Sequence, residues 1–129
     1  MNCALVIDNH PIVPQGCRQI LEDMGIESII EAITSESGFI AYQVHKPSLA
    51  IIDLCLDRVK LTGLDLIAKI RSLDAEMVIV AFSMHDDPTI RLQSLRAGAT
   101  SFVPKDASIE CLVAACTLSQ NERASNVIG

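Results

Sequence analysis

The sequence predicts an α/β domain in which five strands alternate with five helices, the pattern of a doubly wound parallel sheet with helices on both faces and right-handed crossovers. Three observations carry this expectation. Ala4-Leu5-Val6-Ile7, Leu49-Ala50-Ile51-Ile52 and Met77-Val78-Ile79-Val80-Ala81-Phe82 are short apolar runs that end on Asp8, Asp53 and Ser83. A strand packed against core on both faces reads this way, because both of its side-chain directions must be apolar. The stretches between the runs carry apolar residues at helical spacing. Lastly, half of the 129 residues are apolar while aromatics are 3% and Trp is absent. The core must then be built from Ile, Leu, Val and Ala, as suits a parallel sheet covered by helices.

Taken in order, residues 4–7 form the first strand, and Asp8-Asn9-His10-Pro11 is a turn. A helix over about 12–24 follows, with Val13, Cys17, Ile20, Leu21 and Met24 on one face. Pro14 is tolerated in its first turn, where backbone N–H groups have no helical acceptor, and Gly25 supplies a left-handed stop. Residues 26–32, with β-branched Ile29 and Ile30, form the second strand. Thr34 or Ser35 caps a second helix through Val44, and Lys46-Pro47 ends it. The third strand is 49–53. After a charged loop over 56–61, Thr62 and Asp65 resemble a capping box opening a third helix with Leu64, Ile67 and Ile70. The fourth strand is 77–83. Asp86-Asp87-Pro88 starts the fourth helix, which carries Ile90, Leu92 and Leu95 and closes at Gly98. Ser101-Phe102-Val103-Pro104 is a short fifth strand, placed at an edge because Pro cannot donate to a ladder. Asp106 or Ser108 caps a fifth helix through about Ser119, with Ile109, Leu112, Val113 and Cys116 inward. Residues 1–119 thus read as one domain, and 120–129 as a polar tail or the start of a linker.

Composition narrows the function. A net charge of −6, with Lys and Arg scattered singly, argues against sequence-independent nucleic-acid binding by this segment. The five cysteines are odd in number and form no CxxC pair, which reads as buried thiols in a reducing compartment. No secretory signal precedes the first strand, and no apolar run approaches the roughly 18 residues needed to span a bilayer. The expectation is a soluble, cytoplasmic domain without a membrane role.

In doubly wound sheets, ligands bind outside the carboxyl ends of the strands. Asp8, Asp53, Ser83 and Lys105 all fall at such ends, on four separate strands. Asp8 and Asp53, with Asn9 adding a neutral oxygen, could hold a hard divalent cation such as Mg2+. Lys105 is a point charge suited to a phosphoryl oxygen, and Ser83 can donate a hydrogen bond to it. A carboxylate nucleophile beside a cation, an ammonium and a hydroxyl suits phosphoryl transfer to Asp53, giving an acyl phosphate.

These pieces resemble the receiver domain of bacterial two-component response regulators, most of all those with a LuxR-type helix-turn-helix output. The matching stretches are Leu5-Val6-Ile7-Asp8-Asn9-His10-Pro11, Pro47-Ser48-Leu49-Ala50-Ile51-Ile52-Asp53-Leu54, Phe82-Ser83-Met84-His85-Asp86-Asp87, and Ala97-Gly98-Ala99 through Phe102-Val103-Pro104-Lys105-Asp106-Ala107. The resemblance spans about 4–119. It implies a flavodoxin-like sheet of order 2-1-3-4-5, Asp53 as phospho-acceptor and a histidine kinase as donor. It further implies Mg2+ held by Asp8, Asn9, Asp53 and the backbone carbonyl of Cys55, Lys105 and Ser83 on the phosphoryl group, and Ser83 with Phe102 as switch residues. The face of helix four, strand five and helix five would then change partners to control transcription, with DNA reached through an output domain outside this chain. A homodimer is a further expected partner. The competing reading is an atypical receiver, a protein-interaction module whose state does not depend on phosphate. Two positions depart from the family pattern. Asn9 stands where a second carboxylate is usual, which implies weaker Mg2+ binding. The loop from Asp53 to Gly63, through Asp57-Arg58-Val59-Lys60, is longer and more charged than usual.

Other constellations carry less. Ser83, His85 and Asp86 are too close in sequence for a hydrolase triad. His10, His45 and His85 lie too far apart in sequence to suggest zinc, and no GxGxxG or Walker loop follows any strand.

Overall fold

A computed structural model describes residues 3–9, 12–56 and 62–117, apart from the side chains of 12–17 and 109. Five strands and five helices alternate: β1 (Cys3–Ile7), α1 (Ile12–Asp23), β2 (Ser28–Ala32), α2 (Ser35–His45), β3 (Leu49–Asp53), α3 (Thr62–Leu73), β4 (Val78–Ser83), α4 (Pro88–Ala97), β5 (Ser101–Pro104) and α5 (Ile109–Thr117). All strand pairs are parallel, in the order β2-β1-β3-β4-β5. The doubly wound sheet and its order are therefore as the sequence and the resemblance implied, with Pro104 on an edge strand.

Strict alternation of side chains sorts the apolar residues onto two faces. Leu5, Ile7, Ala50, Ile52, Ile79, Ala81 and Phe102 join Tyr42, Ile67, Ile70 and Ile90 of α2, α3 and α4. Ala4, Val6, Leu49, Ile51, Val80, Phe82 and Val103 join Leu21, Leu112, Ala115 and Cys116 of α1 and α5. Continuous apolar strands were needed because neither face meets water.

The helix ends follow local chemistry, with some corrections. Gly25 has φ +90 and ends the first helical segment as expected. Thr34 caps α2: its Oγ1 accepts from Ser37 N at 3.0 Å, and Ser37 Oγ accepts from Thr34 N at 3.2 Å. Asp87 Oδ1 accepts from Ile90 N at 2.8 Å at the start of α4, and Ser108 Oγ accepts from Cys111 N at 3.3 Å at the start of α5. Thr62 does not stand at the cap position expected of it. Thr62 already lies inside α3, and its hydroxyl donates to Leu56 O at 2.8 Å, tying the helix back to the segment after β3. Leu92 on α4 is exposed, and the buried positions of that helix are Ile90 and Ser94. The thiols also differ from expectation: Cys116 is buried, Cys3 and Cys55 are half-buried and Cys111 is exposed, none of the four in a disulfide. Cys17's side chain, the 57–61 part of the charged loop and the 118–129 tail lie outside the described residues.

One anchor was not legible in the sequence. Arg71, in the last turn of α3, donates from Nε to Gly98 O at 2.8 Å and from Nη2 to Thr100 Oγ1 at 3.3 Å. Thr100 Oγ1 also accepts from Ile79 N at 3.0 Å. The ends of α3 and α4 are thereby joined to the start of β4.

Candidate functional site

Parallel register brings the ends of β1, β3, β4 and β5 to one edge. Ile7 is opposite Ile52, Asp53 opposite Phe82, and Ser83 opposite Pro104. The connections leaving the strands stay tied to that edge: Asp8 N donates to Ala32 O at 3.0 Å, Leu54 N to Phe82 O at 3.0 Å, and Lys105 N to Ser83 O at 2.7 Å. Asp53 and Ser83 thus arrive at one edge of the sheet by strand register, and Asp8, Asn9 and Lys105 reach it just past the ends of β1 and β5.

The polar groups meet inside the protein. The side chains of Asp8 and Asp53 are each 1% exposed and that of Lys105 is 4% exposed. Lys105 Nζ lies 3.0 Å from Asp8 Oδ2 and 3.3 Å from Asp53 Oδ2, so one ammonium bridges two carboxylates. Its ammonium also lies 5.6 Å from the centroid of the Phe82 ring. The other oxygen of Asp53, Oδ1, accepts from Cys55 N at 3.0 Å. Desolvation pushes the Asp53 carboxyl above its ordinary range, helped by the nearby Asp8 charge; the Cys55 N–H and the Lys105 ammonium pull the other way. A solvated strand-end carboxylate and a solvated loop lysine are both excluded by this burial.

The site carries two negative charges and one positive charge, so it has room for further positive charge. Asn9 Oδ1 is buried and has no hydrogen-bond partner among the described residues, which fits an oxygen that a cation could take. Among the described residues no group of three or more His, Cys, Asp and Glu side chains is arranged to hold a metal. A hard cation beside Asp8 and Asp53 would draw on neutral oxygens as well, which Asn9 and the backbone at Cys55 can supply.

Ser83 is fully buried, and its Oγ accepts from His85 N at 3.0 Å. That bond closes a tight turn after β4 and leaves the hydroxyl proton for another acceptor. His85 and Asp86 are not assembled with it as a catalytic relay: His85 contributes its backbone, and Asp86 Oδ1 accepts from Arg91 Nη2 at 2.6 Å. Phe102 is 7% exposed, and the guanidinium carbon of Arg91 lies 4.8 Å from its ring centroid.

Sequence reading used Gly63 only to mark the end of the loop after β3. Gly63, in the first turn of α3, donates from its N to Leu54 O at 2.9 Å. A Cβ there would collide with the carbonyl oxygen of Asp53 and stand 2.7 Å from Leu54 Cα. The helix approaches the end of β3 backbone to backbone, and a glycine in a sequence gives no sign of what it touches.

Comparison with known proteins agrees with this fold. Residues 4–117 match the family model described as response regulator receiver domain. A relative is the methanol utilization control regulatory protein MoxX of Paracoccus denitrificans, 31% identical over 113 residues that cover 88% of this chain and 51% of MoxX. The signal receiver domain of the response regulator NarL from Mycobacterium tuberculosis is 27% identical in solved form, with a TM-score of 0.77, covering 88% of this chain and 90% of that one. A CheY-like receiver domain protein from Methanospirillum hungatei shares the fold at a TM-score of 0.82 and 21% identity, covering 98% of both chains. The chain spans about half the length of curated relatives such as MoxX. Among the described residues, no helix is long and apolar enough to cross a membrane.

Proposed function

This chain belongs to the response regulator receiver domain family, and from that premise we propose that it accepts a phosphoryl group from a histidine kinase onto Asp53. The observation that carries the proposal is the convergence of two buried carboxylates, Asp8 and Asp53, on the single ammonium of Lys105. A carboxylate oxygen of Asp53 attacks phosphorus, the P–N bond to the kinase imidazole breaks, and its electron pair leaves with the imidazole, which takes up a proton. Lys105 then turns its charge from the carboxylates to a phosphoryl oxygen. The Cys55 N–H holds Asp53 Oδ1 in place during attack. Asp8, Asn9, Asp53 and the carbonyl of Cys55 would hold Mg2+, which when bound offsets the charge of the phosphoryl oxygens. The domain is a signalling element that catalyses its own transfer and dephosphorylation, and not an enzyme with a separate substrate.

Ser83 and Phe102 are proposed as the switch pair. The Ser83 hydroxyl donates to the new phosphoryl oxygen, the turn after β4 rearranges, and the surface of α4, β5 and α5 changes partners. MoxX and NarL are named as regulatory proteins, and this chain spans about half of MoxX. We therefore assign it to the cytoplasm as the receiver part of a transcriptional regulator whose DNA-binding domain lies elsewhere.

The test is beryllofluoride, a phosphoryl mimic, added with Mg2+ while amide NMR spectra are recorded. Shifts at Asp53, Ser83 and Phe102 are expected. A spectrum without such changes would instead make the domain a phosphate-independent interaction module.

Asn9 makes a separate prediction about the cation. With Asp at this position the site would carry one more negative charge for Mg2+ to meet. Asn9→Asp is expected to lower the Mg2+ concentration for half-maximal phosphorylation about tenfold, or about 1.4 kcal/mol. An unchanged Mg2+ titration would remove Asn9 from the cation site.

A further inference from the structure

The segment that carries Asp53 is tied to α3 at two points, one on either side of Cys55. Gly63 N donates to Leu54 O at 2.9 Å, and Thr62 Oγ1 donates to Leu56 O at 2.8 Å. Cys55 donates from its own N to Asp53 Oδ1 at 3.0 Å. The first two residues of α3 therefore hang on the carbonyls that flank a residue bonded to the Asp53 carboxylate. The far end of the same helix is fixed elsewhere. Arg71, in its last turn, donates to Gly98 O at 2.8 Å, Asp74 O at 3.0 Å and Thr100 Oγ1 at 3.3 Å. A pull on Thr62 and Gly63 thus tilts α3 about its last turn and moves its first turns most.

Those first turns form one wall of a groove of about 530 Å3, in which Thr62, Leu66 and Lys69 face Phe39 and Ile40 of α2. The α2 wall is held by its own capping box at Thr34. Lys69 Nζ lies 4.0 Å from the centroid of the Phe39 ring, a cation–π contact that spans the two helices. Below the groove, Leu66 shares one core with Leu54 and Leu56, and Phe39 packs against that core.

We propose that the groove between α2 and α3 is a conformational readout of phosphorylation, separate from the surface of α4, β5 and α5. Loss of charge at Asp53 Oδ1 turns the peptide unit between Leu54 and Cys55, and that turn shifts the start of α3 against α2. The inference rests on the phospho-acceptor reading of Asp53 and makes no use of Ser83 or Phe102.

The cause lies in one hydrogen bond. A bond from N–H to an ionised oxygen is shorter and roughly twice as strong as one to a neutral oxygen. Once Asp53 carries the phosphoryl group on Oδ2, Oδ1 is the uncharged carbonyl oxygen of an acyl phosphate, and its hold on Cys55 N weakens. The Cys55 N–H and the Leu54 carbonyl belong to one planar peptide unit, so neither turns without the other. Leu54 O carries Gly63 with it, and Leu56 O, on the other side of Cys55, carries Thr62. Gly63 lies backbone to backbone on Asp53, so no side chain is there to absorb the movement. The chain of contacts is continuous, from the carboxyl through a rigid peptide unit to a helix pivoted at its far end, as coupling between two places requires.

The test follows two groups of the full chain by NMR while beryllofluoride and Mg2+ are added. The Gly63 amide reports its bond to Leu54 O, and the ε-methylene protons of Lys69 are shifted upfield by the Phe39 ring. Both are expected to move together with the Asp53 amide, and to move less with Mg2+ alone. Phe39→Leu removes the ring and should abolish the Lys69 response while the Gly63 response stays. Thr62→Val keeps the shape but removes one of the two ties, and should reduce the Lys69 response; Thr62→Ser keeps the hydroxyl and should respond as wild type. A shift at Asp53 with Gly63 and Lys69 unmoved in wild type overturns the inference and leaves the phospho-acceptor reading standing. A response to Mg2+ alone as large as that to the mimic assigns the movement to the cation and also overturns it. Equal Lys69 responses in Thr62→Val and wild type overturn the part given to Thr62. Absence of any shift at Asp53 in wild type counts against the phospho-acceptor reading and, with it, this inference.

Discussion

Asp53→Asn is expected to abolish incorporation of phosphate from a small donor such as acetyl phosphate, and at the same time to make the fold more stable at neutral pH. The first effect follows because an amide oxygen cannot form the acyl phosphate; intact-protein mass spectrometry should show no phosphate mass increment. The second follows from where Asp53 sits. Its carboxylate is almost fully buried and shares one ammonium with Asp8, and burial and the Asp8 charge raise it above its ordinary range despite the Cys55 N–H and Lys105. A carboxyl that holds its proton more tightly folded than unfolded makes the native state bind more protons between the two midpoints. Stability of the wild type therefore falls as pH rises through that window and stays lower above it. Each pH unit separating the midpoints is worth about 1.4 kcal/mol. The advantage of Asp53→Asn should be full above the folded midpoint and shrink as pH falls through it, where the wild-type carboxyl is also neutral. Urea unfolding of both proteins across this range measures it. A variant less stable than wild type at neutral pH would mean that the Lys105 bridge outweighs the desolvation of Asp53. Phosphate incorporation that survives the substitution would move the acceptor elsewhere.

Gly63→Ala should be the most damaging single methyl group that can be added near the site. The new Cβ meets the Asp53 carbonyl and Leu54 Cα, which are backbone and have no rotamer to turn away. Either α3 lifts from the end of β3 or the strand end itself shifts. Overpacking of this kind typically costs about 1–3 kcal/mol, and contact with backbone puts Gly63→Ala at the top of that range. Because the displaced segment carries Asp53 and the Cys55 N–H that holds its Oδ1, phosphorylation should fall along with stability. Urea unfolding and acetyl phosphate labelling of the same sample check both halves. A loss below about 0.5 kcal/mol, the level of an ordinary surface change, would show that the helix can move without cost.

Much of the fold could be read from the chain because the relevant signals are local. The runs at 49–52 and 77–82 are apolar throughout since each contributes to both cores. Asp87-Pro88 and Thr34 mark helix starts because a capping side chain reaches the backbone only two or three residues away. Thr62 is the instructive miss. Its spacing to Asp65 fits a capping box, but it is already the first residue of α3, and its hydroxyl donates to Leu56 O, six residues back, a tie that no local pattern signals. Leu92 failed for a related reason. It stands two residues after Ile90, on the opposite side of the helix, so a face that buries Ile90 and Ser94 leaves it exposed.

The sequence by itself determined which residues stand at the ends of buried strands, and hence that Asp8, Asp53, Ser83 and Lys105 share an edge. Strand polarity and the order of elements are enough for that, since every parallel strand delivers its last residue to the same side. The tertiary structure decided the rest: that Lys105 bridges both carboxylates inside the protein, that Gly63 presses on the Asp53 backbone, and that Arg91 lies against Phe102 while holding Asp86. Each of these joins residues far apart in the chain or depends on a side-chain rotamer. Their distances are set by how helices pack on the sheet, and no local pattern encodes that.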